Sequence, residues 1–249
     1  MTEHVLIVRR GPVQVIRLNR PDKKNALTQA MYAAMAQALE EGDADPGVHA
    51  HVFLGVPGAF SAGNDLQDFL SHSAGPLADH GVSRFLLRLA EARKPLLCGV
   101  DGLAIGVGAT IQFHCDLTFA TPQSVFRTPF TDLGLVPEAG SSLLGPALMG
   151  HQRAFAMLAM GHPMPAEEAF ACGLIYRVVD PAVLEESVMA AAQQIASKPP
   201  DAMQITRELL RTPRQAVLDR MALEMKHFVE RLRSEEAKAA FEAFLSRKK

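Results

Sequence analysis

Two glycine-rich segments and one isolated acid are the residues of this chain best suited to chemistry. The segments are Phe60-Ser61-Ala62-Gly63-Asn64-Asp65-Leu66 and Asp101-Gly102-Leu103-Ala104-Ile105-Gly106-Val107-Gly108, and the acid stands in Leu135-Val136-Pro137-Glu138-Ala139-Gly140. Small residues let main chain approach a ligand closely, and the start of a helix leaves N–H groups without partners. Each segment is therefore expected to offer one backbone N–H to a developing oxyanion. Two such donors and one carboxylate suit enolate chemistry on a thioester. Pro followed by Glu is also a common helix opening, in which the acid only complements the helix dipole. The residues by themselves leave both roles of Glu138 open.

Strand-then-helix alternation is expected to position these groups. Residues 5–9 and 13–18 read as a strand pair, and Thr28 can cap a helix whose Met31, Ala34, Met35, Ala38 and Leu39 recur at helical spacing. A strand over 48–56 delivers the first glycine segment, which places Asn64 at a strand-to-helix junction. Lys94-Pro95 opens an apolar strand at 96–100 that delivers the second segment. Between them, 71–81 is rich in Ser, Gly, His, Pro and Asp and reads as a mobile surface loop beside the site. Short strands are expected at 116–120, 125–127 and 176–179. Helices are expected at 140–149, 151–160, 165–172, 182–197 and 200–211, then a long one over 214–246. In that last helix Val217, Met221, Met225, Phe228 and Leu232 form an apolar stripe, expected to pack against another subunit, with folding back onto its own core as the alternative.

Composition limits the classes open to the chain. Its 249 residues are 48% hydrophobic and 21% charged with a net charge of −2, which suits one sizeable core and no basic face for nucleic acid or a membrane surface. Three cysteines, Cys98, Cys115 and Cys172, lie apart in apolar stretches without CxxC spacing, so reduced thiols are expected rather than disulfides or a zinc site. No signal region, peroxisomal tripeptide or run of transmembrane length is visible, and the expected location is cytoplasmic. Gly106-Val107-Gly108 lacks the third glycine of a dinucleotide fingerprint, and the surroundings of Ser61 fall short of a nucleophile elbow. His49 and His51 share one strand face and read as surface residues rather than metal ligands.

The order Leu18-Asn19-Arg20-Pro21, Asn25-Ala26-Leu27, the first glycine segment, Lys94-Pro95, the second glycine segment, Cys115-Asp116 and Leu133-Gly134-Leu135-Val136-Pro137-Glu138-Ala139-Gly140 resembles the enoyl-CoA hydratase/isomerase (crotonase) superfamily over nearly the whole chain. Within it the motif around Glu138 is most similar to a Δ3,Δ2-enoyl-CoA isomerase-like branch. The resemblance implies an α/β, ClpP-like spiral of ββα units followed by a helical C-terminal region. It implies a core with an acyl-CoA site over 1–195, an oligomerisation region over 196–249, and assembly as a homotrimer or dimer of trimers. It also implies an oxyanion hole from the N–H groups of Asn64 and Val107, and Glu138 as the catalytic acid. Val107 departs from the glycine usual at its position, and its branched side chain is expected to narrow the pocket or shift the loop.

For coenzyme A, which enters as part of the substrate rather than as a separate cofactor, the resemblance points to Lys23 and Lys24, to Ala26, and to Ala62, Asn64, Asp65 and Leu66. Asp65 also reads as a helix cap, Asp116 as a turn or strand-start residue, and Lys248 and Lys249 as candidates to reach a neighbour's phosphate. The two acids that the family's hydratases use are replaced by Thr110 and Phe130, neither of which can act as a general base. The expected activity is conversion of 3-enoyl-CoA to 2-enoyl-CoA within fatty acid metabolism. The alternatives are a weak hydratase using Glu138 and water, and a catalytically silent acyl-CoA-binding protein.

Overall fold

The computed structural model describes residues 2–68 and 81–246. The expected loop at 71–81 falls outside them except for Gly81, and Lys248 and Lys249 fall outside as well. The strands are β1 (Val5–Arg10), β2 (Val13–Leu18), β3 (Ala50–Leu54), β4 (Ala59–Ser61), β5 (Leu96–Val100), β6 (Leu103–Ile105), β7 (Leu117–Ala120), β8 (Val125–Arg127), β9 (Met164–Pro165) and β10 (Arg177–Val178). The helices are α1 (Gln29–Ala44), α2 (Gly81–Glu91), α3 (Val107–Thr110), α4 (Ser141–Met149), α5 (His151–Leu158), α6 (Ala166–Ala171), α7 (Leu184–Ala196), α8 (Pro200–Leu210), α9 (Arg214–Leu232) and α10 (Glu235–Ser246). A further helix opens at 66–68.

Two sheets share the chain, in the orders β1-β2-β3-β5-β7-β10 and β4-β6-β8-β9. Consecutive strands β3 and β4, β5 and β6, and β7 and β8 each divide between the two sheets. Each pair therefore makes one turn of the expected spiral. From β2 to β10 the larger sheet is parallel, and such a sheet is stable when both faces are covered. Val13, Val15, Val52, Leu54 and Leu97 pack on one side with Leu184, Val188 and Ala192 of α7. Ile16, Leu18, Phe53, Leu96 and Cys98 face the main core with Met31, Tyr32 and Met35 of α1 and Phe85 of α2. Alternation of period two along each strand thus feeds two apolar layers rather than one.

α1 begins where the sequence places it, with the Thr28 hydroxyl accepting from the Met31 N–H at 3.3 Å. All three thiols are free, although Cys115 is only half-buried. Two expectations about histidine and the C-terminal helices are corrected. His51 is not a surface residue: it is fully buried, with Nδ1 2.7 Å from Gln14 Oε1 and Nε2 3.2 Å from Asp43 Oδ1. β3 is covered on both faces, so a polar residue on it must find its partners inside.

The expected helix over 214–246 is two helices. α9 ends at Arg233, and the Ser234 hydroxyl accepts from the Ala237 N–H at 3.2 Å to start α10. Ser-Glu-Glu-Ala is a helix-start signal that the continuous apolar pattern obscured. The stripe of α9 is also covered by its own chain. Val217 and Phe228 are buried, and Met221 and Leu232 pack against the main core.

α8 is fastened by charge. Arg207, 5% exposed, donates to Asp116 Oδ2 at 2.7 Å and to the Ala92 carbonyl at 2.6 Å, while Asp116 also accepts from the Leu96 N–H at 2.8 Å. Asp116 is thus a strand-start residue, as expected. Removing one partner of a buried pair leaves the other charge uncompensated. Arg207→Ala should lower the unfolding free energy by roughly 3–5 kcal/mol in urea titration, far more than an exposed arginine-to-alanine control.

Candidate active site

Pairing of β4 with β6 brings the two glycine segments together. Ala59 aligns with Leu103 and Ser61 with Ala104 in a parallel ladder. Gly63 has φ +86° and Gly106 φ +56°, and a Cβ on Gly63 would stand 3.0 Å from the Ile105 carbonyl oxygen. A side chain on either glycine would be strained in conformation, and at Gly63 it would also crowd the opposing main chain.

The amide of Asn64 is turned away from Leu27. Asn64 bridges to Leu27, and the bridge's bonds run from the Leu27 N–H to the Gly63 carbonyl and from the Asp65 N–H to the Leu27 carbonyl. In a parallel bridge of this kind the central residue's own N–H points the other way. Val107 is the first residue of α3 after Gly106, a position whose N–H has no partner within the helix. No described residue accepts a hydrogen bond from either amide. Val107 is 1% exposed and packs within the main core.

Around Asn25 a set of hydrogen bonds holds the first segment. Its Nδ2 donates to the Ala59 and Phe60 carbonyls, its Oδ1 accepts from the Arg20 N–H, and its carbonyl accepts from Ser61 Oγ at 2.8 Å. Lys24 and Asn25 take the left-handed conformation, and the Lys24 carbonyl accepts from the Ala62 N–H at 2.9 Å. Asp65 caps the helix at 66–68 by accepting from the Gln67 and Asp68 N–H groups, and it pairs with Arg20 at 2.8 Å. Its expected capping role is therefore seen in the structure. Tyr32 of α1 donates its hydroxyl to Asn64 Oδ1. Burial first, then the charges of Glu138 and Asp68, push that phenol well above its ordinary pKa.

Glu138 opens a tight turn. Ala139 has φ +61° and Gly140 φ +69°, and α4 starts immediately after. The amides at that helix start are taken by another acid: Glu224 of α9 accepts from the Gly140 N–H at 2.6 Å and from the Ser142 N–H at 2.9 Å. His114 Nε2 lies 2.7 Å from the Ala139 carbonyl oxygen, to which it donates. Burial pushes His114 down to about 4, so its ring is neutral near pH 7. Glu138 is 7% exposed, and among the described residues nothing donates a hydrogen bond to its side chain. Burial, and next the charge of Glu224, push its carboxyl up from 4.5 to about 7. The helix dipole that could have held it down is spent on Glu224.

The two glycine segments and Glu138 border one cavity of about 1090 Å³, whereas Asn25, Tyr32, His114 and Glu224 stand behind its lining. Lys24, Ala26, Ala62, Asn64, Asp65, Leu66, Val107 and Glu138 all line it. Arg20, Lys23 and Arg127 add positive charge, while Phe130, Leu135, Phe228 and Phe241 add apolar wall. Thr110 is fully buried, its hydroxyl 3.4 Å from the Val107 carbonyl, so it presents no base. Among the described residues no group of His, Cys, Asp and Glu could hold a metal ion.

Such a spiral of strand pairs divided between two sheets, followed by a helical C-terminal region, defines the crotonase fold class. The enoyl-CoA hydratase/isomerase family matches residues 9–249, and the chain belongs to that family. It is 30% identical to 1,2-epoxyphenylacetyl-CoA isomerase of Escherichia coli over 256 residues, covering 100% of this chain and 97% of that protein. Enoyl-CoA delta isomerase 2 of Rattus norvegicus is 36% identical over 212 residues, 83% of this chain and 54% of the relative. The solved structure of Pseudomonas aeruginosa OdaA superposes with a TM-score of 0.92 at 38% identity, covering 98% of this chain and 99% of that one. Relatives carry both isomerase and hydratase names.

Sequence reasoning missed Tyr32, His114 and Glu224. Tyr32 and His114 sit on helical segments where a core residue is the ordinary reading and Glu224 reads as a solvated acid, and only the tertiary fold brings each to the segments it touches. The elevated pKa of Glu138 has a cost in stability. A carboxyl at 4.5 unfolded and about 7 folded favours folding below pH 4.5 relative to alkaline pH, and that advantage is lost as pH rises through 7. Glu138→Gln should therefore gain on the parent across this window, reaching on the order of 3 kcal/mol by pH 8 in chemical denaturation.

Proposed function

We propose that this protein moves a double bond in a 3-enoyl-CoA to give the 2-enoyl-CoA, with Glu138 shuttling the proton. What carries this reading is the buried Glu138 carboxyl, lifted to about 7, in the same cavity as two outward main-chain amides. The Glu138 carboxylate takes a proton from C2. Electrons pass through the double bond system to the thioester oxygen, and the dienolate rests against the N–H groups of Asn64 and Val107. The same carboxyl returns the proton at C4. A group with pKa near 7 suits both directions of transfer, because it is neither too weak a base nor too weak an acid.

Arg20, Lys23 and Lys24 are suited to the phosphates of coenzyme A, and Ala26, Ala62, Asp65 and Leu66 to the chain leading toward the thioester. Phe130, Phe228 and Phe241 in the cavity wall suit the acyl group. Thr110 and Phe130, which cannot activate water, favour isomerisation over hydration, since a lone acid would have to activate water and return the proton itself.

Glu138→Gln should lower conversion of 3-enoyl-CoA by at least about 100-fold while acyl-CoA affinity, measured by calorimetry, changes by less than about threefold. Activity near the parent level would remove Glu138 from the mechanism, and efficient hydration of 2-enoyl-CoA by the parent would favour the second chemistry. In the parent, kcat/KM should rise with pH through about 7, because Glu138 must lose its proton to act as base.

A further inference from the structure

We propose that Glu224, on α9, is a positioning residue for Glu138: its carboxylate bridges two amides of the turn and fixes the left-handed geometry from which Glu138 faces the cavity. The assignment of Glu138 as the reacting base is taken from the function proposed above. The geometry supplies the argument. One oxygen of Glu224 accepts from the Gly140 N–H at 2.6 Å and the other from the Ser142 N–H at 2.9 Å, so a single side chain spans three consecutive residues of the turn. Ala139, which is not glycine, is held there at φ +61°, a conformation that persists only where surroundings impose it.

α9 lies close over the turn, since a Cβ on Gly140 would stand 3.0 Å from Val217 Cγ1 and 3.5 Å from Met221 Cγ. From the other side His114 grips the Ala139 carbonyl. Glu224 is 6% exposed, and both of its carboxyl oxygens are engaged by these backbone donors. Its charge acts on Glu138 as well as its shape.

The other titratable groups around Glu138 come from several elements. Tyr32 of α1 is neutral near pH 7 and His114 is too, while Arg220 of α9 donates to Ser142 Oγ at 3.3 Å. Arg20, Lys23, Lys24, Asp65, Arg127 and Asp132 line the same cavity. Among these, Glu224 is the charge that raises the Glu138 carboxyl, after burial itself.

Two variants separate charge from reach. Glu224→Gln keeps the size of the side chain but removes the charge and one of the two acceptor oxygens, while Glu224→Asp keeps the charge and both oxygens and shortens the side chain. The Glu138 carboxyl is followed by 13C NMR titration of the glutamate-labelled protein, assigned by difference from Glu138→Gln, alongside the pH profile of isomerisation and the melting temperature. The parent midpoint is expected at about 7 and that of Glu224→Gln between 4.5 and 7, with the acid limb of kcat/KM moving down with it.

Glu224→Asp should keep the midpoint near that of the parent but lose roughly 10- to 100-fold in kcat, with KM within about twofold. If Glu224 only capped α4, both variants would melt lower with the Glu138 midpoint and kcat unchanged, and the proposal would be overturned. Should Glu224→Gln fail to fold, the kcat of Glu224→Asp decides. A parent that does not isomerise 3-enoyl-CoA, yet shows the NMR midpoint falling in Glu224→Gln, would end the proposed reaction and leave the link between the two acids standing.

Discussion

Parallel pairing of β4 with β6 is the contact on which the site rests. Those strands are only three residues each, yet their register decides where two helix-opening segments end. Because the larger sheet takes β3 and β5 while the smaller takes β4 and β6, each turn of the spiral delivers its glycine segment to the same edge. Asn64 and Val107 could not face one cavity if either segment slipped. The left-handed glycines at 63 and 106 follow from this closeness, since backbone approaching backbone leaves little room for side chains.

Electrostatics at the third group follow from what the fold withholds. Arginines and lysines line the cavity, but Glu138 itself has no cation as hydrogen-bond partner among the described residues, and the helix start beside it already serves Glu224. Desolvation then acts with little opposition. The result is a carboxyl that is less stable charged than in water and correspondingly more disposed to take a proton. The fold bears this strain through the large apolar layers on both faces of the main sheet and through the Arg207–Asp116 pair that ties α8 to β5.

Much of this was legible in the residues. Strand and helix order, the cap at Thr28, the cap at Asp65 and the junction at Asn64 rest on local patterns, and local geometry obeys them. Membership of the family was readable from motif order, and every residue singled out for the site lines one cavity. What stayed hidden was long-range. An acid at position 224 in an amphipathic helix looks like any solvated glutamate, and only packing of α9 over the 138–140 turn buries it. His51 likewise reads as an exposed strand residue until α7 and α1 cover both faces of β3. The break at Ser234 was overlooked because apolar spacing continued across it, whereas the capping chemistry was local and present.

Phe228 of α9 and Ala240, Phe241 and Ala243 of α10 supply part of the cavity wall, and a Cβ on Gly134 would stand 2.9 Å from Ala237. During synthesis, then, residues 20–138 supply most of the cavity wall before the share from α9 and α10 is made. Glu224, Phe228 and Phe241 come last, with α9 and α10. The same late segment thus closes the cavity wall and holds the turn that carries Glu138.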